Sequence, residues 1–272
     1  MTITQLLKQS KHEDSDILLG HVLKQPKEFL FIHGDQKVSK IDEKKFKDLL
    51  KKRLSGIPTA YLLGYKYFYG LKFKVNRNVL IPRPESEWLA DESLRVVVEK
   101  LKSRKTLKNM QILEIGTGSG CIAISIAKTI QESGLSKKVR ISASDISAQA
   151  LVVAKQNAKL NKVSINFAKR DLLTGAKGKY DLIIANLPYI PMSDYQKLLT
   201  NLKYEPKLAL TDGTDEFVLI KNLLSQTKKH LNKNGVVLLE IDPKAKSIIK
   251  KLYTKAEIIK DIHKLDRFVR IG

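Results

Sequence analysis

The segment Asn186-Leu187-Pro188-Tyr189 combines an amide side chain, a proline and an aromatic hydroxyl within four residues. It follows an apolar run, residues 180–185, that is typical of a short buried strand. Pro188 lacks a backbone N–H and fixes φ, so the strand cannot continue through it. An amide that both donates and accepts is thus held at a strand end, beside an aromatic ring with a hydroxyl. A simple strand-ending turn would explain the same residues, so other parts of the chain must decide.

A second candidate is the segment Glu114-Ile115-Gly116-Thr117-Gly118-Ser119-Gly120, between a predicted strand and a predicted helix. Glycines let the backbone turn tightly and approach a ligand, and a helix N-terminus presents free N–H groups. A dinucleotide fingerprint needs glycine where Cys121 stands, so the spacing favours a ligand without a pyrophosphate. The Glu114 carboxylate would repel a pyrophosphate but could pair with an ammonium or sulfonium group. A plain glycine-rich turn is the alternative.

Carboxylates also follow the next two predicted strands. Asp145 ends the second strand, where it could accept hydrogen bonds from both hydroxyls of a ribose. Asp171 and Leu172 follow the third strand and could hold an adenine, the carboxylate accepting a hydrogen bond and the leucine covering a ring face. Single acidic residues at strand ends often cap helices. Their occurrence after three successive strands favours a nucleoside-type ligand.

Alternating strands and helices from residue 86 onward position these side chains. The predicted strands are 110–115, 139–143 with Asp145 at the end, 163–168, 180–185 and 236–241, with a closing pair at 256–262 and 267–271. The predicted helices are 86–105, 119–130, 147–160 with Ser147 as its cap, 215–231 and 244–252. This alternation predicts βαβ units and a parallel sheet. Ligands bind at the carboxyl edge of such sheets, so the candidate residues should meet there.

The first part of the chain has a different pattern. Residues 1–74 are predicted to form a small helical domain, in which 40–54 is an amphipathic helix. Alternation at 71–75 predicts a strand in a hairpin with 79–81. The following Ile81-Pro82-Arg83-Pro84-Glu85 is a stiff loop with a charged tip. By position alone, this loop is a linker between domains.

Composition limits the class of protein. The 272 residues carry a net charge of +22, which favours anionic partners such as RNA, ribosomes or acidic proteins. A lysine-rich composition without functional meaning is the alternative, since lysine lacks the bidentate fork of arginine. One cysteine excludes an intramolecular disulfide framework, and five unclustered histidines make a metal site unexpected. The sequence has no signal-peptide pattern and no apolar run of about 20 residues, so we expect a cytoplasmic protein.

The glycine segment, the two aspartates and the Asn186 segment together resemble the class I S-adenosylmethionine-dependent methyltransferases. The resemblance implies S-adenosylmethionine as cofactor and S-adenosylhomocysteine as product. The cofactor-binding residues that it implies are Glu114, Gly116, Thr117, Gly118, Ser119, Gly120, Asp145, Ile146, Asp171, Leu172 and Asn186. The Asn186 segment is similar to the Asn/Asp-Pro-Pro-Tyr motif of enzymes that methylate planar amide or exocyclic amino nitrogens. Leu187 stands where that motif generally has proline, and the Asn-Leu-Pro-Tyr form is also familiar from ribosomal RNA adenine dimethyltransferases.

The chemistry of such an acceptor accounts for the residue types. A planar nitrogen is weakly nucleophilic because its lone pair is delocalised. The Asn186 side-chain oxygen and the Leu187 carbonyl could accept its two N–H groups and aim the lone pair at the methyl group. Tyr189 could stack on the planar group, and Pro188 keeps the turn rigid. Proximity and alignment would then carry most of the rate, without a strong base.

Flanking segments resemble the HemK-type peptide chain release factor glutamine methyltransferases over nearly the whole chain. The segments that carry this resemblance are residues 55–64, 80–85, 204–210 and 266–269. It implies a Rossmann-like seven-stranded class I methyltransferase domain at 86–272, a connecting hairpin and loop at 75–85, and an N-terminal helical bundle at 1–74 that docks the substrate. It also implies that Arg83 and Glu85 wall the active site, which reverses the linker interpretation.

The implied substrate is the glutamine of the Gly-Gly-Gln motif in class 1 release factors. We also expect a monomer whose basic surface makes weak contact with nucleic acid or the ribosome. Two alternatives stay open. One is the same reaction on a glutamine of a ribosomal protein or on N6 of adenine in nucleic acid. The other is a non-catalytic RNA- or ribosome-binding protein, against which the intact glycine segment, Asp145 and Asn186 argue.

Overall fold

The computed structural model describes residues 1–103 and 109–272. Their contacts divide the chain into two units, residues 1–65 and residues 66–272. Residues 66–74 therefore belong with the second unit, whereas the sequence prediction assigns them to the first domain. Among the described helices, none is long and apolar enough to cross a bilayer.

The first unit is helical, as the sequence predicts. Its helices are α1 (Ile3–Ser10), α2 (Ser15–Leu23), α3 (Lys27–Ile32), α4 (Lys40–Leu54) and α5 (Thr59–Leu63). Thr2 and Ser39 accept hydrogen bonds from backbone N–H groups in the first turns of α1 and α4, which satisfies donors that have no partner within the helix. The helices share a core that includes Leu6, Leu18 and Phe46.

A two-stranded hairpin follows, formed by β1 (Tyr65–Phe68) and β2 (Leu71–Lys74). Its turn residues, Tyr69 and Gly70, have φ values of 52° and 71°, which is the pattern of a type I′ turn. The predicted pairing of 71–75 with 79–81 is therefore wrong. Tyrosine rarely adopts positive φ, so the sequence gives little sign of a turn at this point.

A seven-stranded sheet forms the centre of the second unit. Its strands are β3 (Met110–Ile115), β4 (Val139–Asp145), β5 (Asn166–Lys169), β6 (Tyr180–Asn186), β7 (Leu231–Glu240), β8 (Glu257–Lys260) and β9 (Asp266–Ile271). Their order is β5-β4-β3-β6-β7-β9-β8. The first five strands are parallel, whereas β9 runs antiparallel to β7 and β8. The predicted parallel sheet and its closing strand pair are confirmed.

Both faces of this sheet are covered. The helices are α6 (Glu87–Ser103), α7 (Cys121–Glu132), α8 (Ala148–Leu160), α9 (Met192–Leu202), α10 (Val218–His230) and α11 (Lys246–Leu252). Within β6, Leu182 and Ile184 join one core cluster while Ile183 and Ala185 join the other. This period of two, apolar on both faces, is expected for a central parallel strand. Positions 104 and 105 of the predicted helix 86–105 lie outside the described residues, and α9 was not predicted.

Candidate active site

The chain reverses its order across the sheet between β3 and β6, which are neighbours although β4 and β5 intervene in sequence. The register places Ile115 of β3 beside Ala185 of β6, so the segments that follow these strands leave from one edge. A cleft opens there, with an empty volume of about 1100 Å³ including open solvent. Such switch points are where ligands bind in open α/β sheets.

The predicted site residues come together in this cleft. Every one of them lines it except Gly120, Glu85 and Tyr189. Gly120 is instead the N-cap residue before α7, with φ of 81°, and a Cβ there would lie 2.8 Å from the Cδ1 atom of Ile124. Its glycine is therefore required by backbone conformation and packing.

The glycine segment is held close to the Asn186 segment. Gly116 has φ of 70°, and a Cβ at this position would lie 3.0 Å from the Leu187 Cδ2 atom. Asn157, which is fully buried on α8, donates to the Ser119 carbonyl at 2.8 Å and pairs with the backbone of Lys74. The sheet edge, the hairpin and α8 thus fix the shape of this loop together.

Glu114 is a buried carboxyl at the base of the cleft, with 2% of its surface exposed. It accepts hydrogen bonds from the Thr117 hydroxyl at 2.5 Å and from the Ala123 N–H at 3.1 Å. Burial raises the pKa of Glu114 to about 8, against the effect of these two donors. Within the described part of the chain, no cation is paired with it. A cationic ligand group in the cleft would therefore favour its ionised form.

Stability should fall with pH because of this group. Between the unfolded pKa of 4.5 and the folded value of about 8, the folded state keeps a proton that the unfolded state releases, so the unfolding free energy declines as pH rises. Glu114→Gln removes this contribution. We expect the variant to lose less stability than the unmodified protein between about pH 5 and pH 8.5 in chemical denaturation. Glu257→Gln, at an exposed strand position, is the control, and identical pH dependence in all three proteins would contradict the assignment.

Asp145 lies across the loop from Glu114. Its two carboxylate oxygens accept 2.8 Å hydrogen bonds from the N–H groups of Gly118 and Ser147. The Ser147 hydroxyl in turn accepts from the Ala150 N–H and caps α8, as predicted. Burial raises the pKa of Asp145, and the two backbone donors oppose that effect. The carboxylate still lines the cleft, so lone pairs beyond these two bonds can accept from a ligand.

Asp171 and Leu172 form another part of the cleft wall. Asp171 is exposed, whereas the Leu172 side chain is buried and its backbone has φ of 48°. Leu172 and Ile146 thus offer apolar surface near two carboxylates, an arrangement that suits an aromatic ring with polar substituents.

The Asn186 side chain belongs to a buried network at the end of β6. Its Nδ2 atom donates to Ser86 Oγ at 2.9 Å and to Glu240 Oε2 at 2.8 Å. Ser86 donates to the same Glu240 oxygen at 2.7 Å, and the Tyr189 hydroxyl donates to Glu240 Oε1 at 2.8 Å. Across residues 1–103 and 109–272, no donor reaches Asn186 Oδ1 or the Leu187 carbonyl oxygen. Two neighbouring residues that line the cleft therefore each have an acceptor oxygen without a described donor.

Tyr189 faces this network and is not part of the cleft wall. The Arg267 guanidinium lies 5.9 Å from its ring centre, and burial together with the Glu240 charge raises the pKa of its hydroxyl far above the usual value. Burial also raises the pKa of Glu240, although its donors oppose this. Stacking of Tyr189 on an acceptor group stays a prediction, whereas its contact with Glu240 is direct.

The loop that contains Arg83 is fastened to the other side of the cleft. Arg83 forms an ion pair with the buried carboxylate of Glu205, which also accepts from the Ile81 N–H at 3.1 Å. Glu85 lies in a short 3-10 turn, Pro84–Ser86, that presents Ser86 to the Asn186 network. The loop therefore contributes structure and one hydroxyl as well as the predicted arginine.

Replacing Glu205 tests how much its contacts with Ile81 and Arg83 contribute to folding stability. Glu205→Ala leaves the buried Ile81 N–H without its acceptor, so we expect the unfolding free energy to fall by roughly 1–3 kcal/mol. Glu205→Gln keeps an oxygen for that N–H, and the Arg83 side chain is 36% exposed, so water can solvate its charge when the ion pair is lost. The glutamine variant should therefore lose less stability in denaturant titrations. Equal losses in both variants would show that the ion pair, rather than the backbone contact, dominates.

Sequence reasoning gave no site role to Glu240, Ser86 or Glu205, and Glu205 was noted only within the segment 204–210 that carries the family resemblance. The signal for Glu240 was present, because it follows the apolar run of residues 236–239 in the same way that Glu114 follows that of β3. A buried carboxylate within the last two residues of a central strand is costly unless it has partners, so both positions could have been recognised as site candidates.

Comparisons with known proteins bear on what this site does. The family model described as the PrmC N-terminal domain matches residues 2–64, and the one described as the Methyltransferase small domain matches residues 86–213. The release factor glutamine methyltransferase of Rhodopirellula baltica is 34% identical over 260 residues, which are 94% of this chain and 85% of that protein. The chain belongs to the release factor glutamine methyltransferase family. It is therefore an S-adenosylmethionine-dependent methyltransferase.

Two further similarities agree with this. The release factor glutamine methyltransferase of Bacillus cereus is 34% identical over 266 residues, which are 93% of this chain and 90% of that protein. A solved methyltransferase from Pyrococcus furiosus has a TM-score of 0.50 at 18% identity, covering 84% of this chain and 96% of that one. The structural similarity concerns the fold alone and confirms the predicted class I methyltransferase architecture.

Proposed function

We propose that this protein transfers a methyl group from S-adenosylmethionine to the side-chain amide nitrogen of the glutamine in the Gly-Gly-Gln motif of class 1 release factors. The observation that carries the proposal is a pair of acceptors without a described donor, Asn186 Oδ1 and the Leu187 carbonyl, in two residues that line the cleft. A primary amide has two N–H groups, and these acceptors match them in number and in chemistry. Membership of the release factor glutamine methyltransferase family supports this choice of acceptor.

The residues of the cleft suit the cofactor. Asp145 would accept from ribose hydroxyls, Asp171 and Leu172 would hold the adenine, and the buried Glu114 would compensate a positive charge at the methionine end. The backbone from Gly116 to Ser119 gives close approach because side chains are small there. When bound, S-adenosylmethionine supplies an electrophilic methyl group.

The protein's own part in the reaction is orientation. Asn186 and Leu187 would hold the amide so that its nitrogen lone pair faces the methyl group, and Pro188 would keep both acceptors in place. A general base is not needed before attack, since the nitrogen loses its proton only once it has become positively charged. Holding the amide in a near-attack arrangement supplies most of the rate in this scheme.

Methyl transfer to a panel of acceptors tests the proposal. The protein is incubated with methyl-labelled S-adenosylmethionine and, separately, with a class 1 release factor, the same factor with the motif glutamine replaced by asparagine, ribosomal proteins and ribosomal RNA. We expect label in the unmodified release factor alone. Label in ribosomal protein or RNA but not in the release factor would overturn it, as would binding of cofactor with transfer to none of them.

We further propose that the protein acts in the cytoplasm as a monomer, with the helical unit of residues 1–65 docking the release factor. The net charge of +22 would add weak contact with ribosomal RNA. Binding to ribosomal RNA would weaken steeply as the salt concentration rises. If the positive charge serves RNA binding and not binding of the release factor, methylation of free release factor should change little between low and moderate salt. Sedimentation velocity gives the oligomeric state.

A further inference from the structure

Glu240 is a buried acid that the reaction does not use directly. It ends β7, has 2% of its surface exposed, and lies opposite Asn186 in the register of β6 and β7. Its carboxylate accepts three hydrogen bonds, from Ser86, Asn186 and Tyr189. The ion pair that the structure gives Arg267, a cation near this network, is instead with Asp261. A carboxylate in such a place is costly, whereas an apolar side chain would pack between the strands without that cost.

The hydrogen-bond pattern has a direct consequence for Asn186. Ser86 uses its single proton on Glu240, so its oxygen can only accept from Asn186. Glu240 Oε2 accepts the second N–H of the same amide. Rotating the Asn186 amide by half a turn would place Oδ1 against both of these acceptors and would point the NH₂ group at the cleft. An NH₂ group cannot accept the N–H of an incoming amide.

We infer that Glu240 and Ser86 are positioning residues that fix the direction of the Asn186 amide, so that its oxygen faces the acceptor nitrogen. The Tyr189 hydroxyl donates to the second carboxylate oxygen of Glu240, Oε1. This inference rests on the proposed function, because it concerns how the methyl acceptor is oriented. It assigns to Ser86 and Glu240 a role in turnover and none in cofactor binding.

Size-matched variants of Glu240 separate this role from packing. Glu240→Met keeps the volume and removes both oxygens, whereas Glu240→Gln keeps an oxygen that can face Ser86 and Asn186, with its NH₂ towards the Tyr189 oxygen. We expect Glu240→Met to lower kcat by about tenfold or more, because the favoured amide direction loses its hydrogen bonds. Glu240→Gln should retain kcat within about threefold of the unmodified enzyme. Cofactor Kd from calorimetry should change little in either variant.

Two variants of Ser86 test the same positioning role and leave the sequence of β7 unchanged. Ser86→Ala removes the oxygen that accepts from Asn186, and we expect kcat to fall by about threefold to tenfold. Ser86→Thr keeps the hydroxyl and should restore kcat. Glu257→Ala, at an exposed position on β8, is the control and should leave kcat unchanged.

The outcomes are distinguishable from failure of the proposed function. If the unmodified enzyme does not methylate a release factor while it binds cofactor, the proposed function itself fails. If it does, the inference is overturned when Glu240→Met keeps full kcat, or when Met and Gln variants lose kcat equally. Should the Met variant not fold, the Ser86 pair decides, and equal kcat in Ser86→Ala and Ser86→Thr would overturn the inference.

Discussion

Replacing Asn186 with alanine is expected to lower kcat by roughly 10²–10³-fold, which is the usual loss when one preorganised polar partner of the reacting group is removed. Its side-chain amide, on a residue that lines the cleft, is held in direction by two further groups, Ser86 and Glu240. Without it, an amide nitrogen would have the Leu187 carbonyl alone to orient it. The measurement is the steady-state rate of methyl transfer at saturating cofactor and saturating release factor, which gives kcat.

A control and a second readout make this result specific. Asn222→Ala changes an exposed asparagine on α10 and should leave turnover unchanged. Cofactor Kd of the Asn186→Ala variant should stay close to that of the unmodified enzyme, because the proposed role concerns the methyl acceptor. A variant that turns over normally but binds cofactor poorly would contradict the role of Asn186.

Asp145→Ala has the second largest expected effect, a loss of cofactor affinity of roughly 1–3 kcal/mol, or about 5-fold to 150-fold in Kd. The carboxylate lines the cleft at the end of β4 while also fixing the N–H groups of Gly118 and Ser147. Removing the carboxylate would therefore take away its hydrogen bonds to the ribose, and it would also loosen the glycine segment, which it holds through the Gly118 N–H. Isothermal titration with S-adenosylmethionine and with S-adenosylhomocysteine measures the change.

Ser147→Ala separates these two contributions. It removes the side-chain cap of α8 and should cost about 1 kcal/mol of folding stability, but it keeps the carboxylate of Asp145. We expect its cofactor Kd to lie near the unmodified value. Equal affinity losses in the two variants would mean that Asp145 acts through α8 and not through the ligand.

The sheet could be predicted from the sequence because each central strand is a short apolar run with a clear end. The runs at 110–115 and 180–185 correspond to β3 and β6, and Ser147 caps α8 as expected. The β1–β2 hairpin was misplaced because its turn has a tyrosine at positive φ. Helix α9 was missed because it follows directly after the Asn186 segment, where two prolines, Pro188 and Pro191, suggest irregular backbone.

The cofactor side of the site was easier to predict than the acceptor side. Glycines and acids that follow successive parallel strands must meet at one edge, so Glu114, Asp145 and Asp171 could be placed by topology alone. The partners of Asn186 come from residues about 100 positions before it and 54 positions after it. The spacing of these residues in the sequence does not indicate that they are in contact. The register of β6 against β7 brings Glu240 beside Asn186, and the Pro84–Ser86 turn brings Ser86 to it.

Leu187 illustrates what the acceptor site requires. Its side chain is buried and lies so close to Gly116 that a Cβ there would be 3.0 Å from the Leu187 Cδ2 atom. Its carbonyl oxygen has no described donor. The rigid turn is kept by Pro188 one residue later. A leucine in place of the usual proline therefore preserves the atom that matters for the proposed chemistry.

Tandem mass spectrometry of a class 1 release factor, after incubation with this protein and S-adenosylmethionine, tests the proposed methyl transfer directly. We expect one added methyl group, located on the side-chain amide nitrogen of the glutamine in the Gly-Gly-Gln motif, and its loss when Asn186→Ala replaces the unmodified enzyme. An unmodified glutamine, under conditions in which calorimetry shows that the cofactor binds, would contradict it.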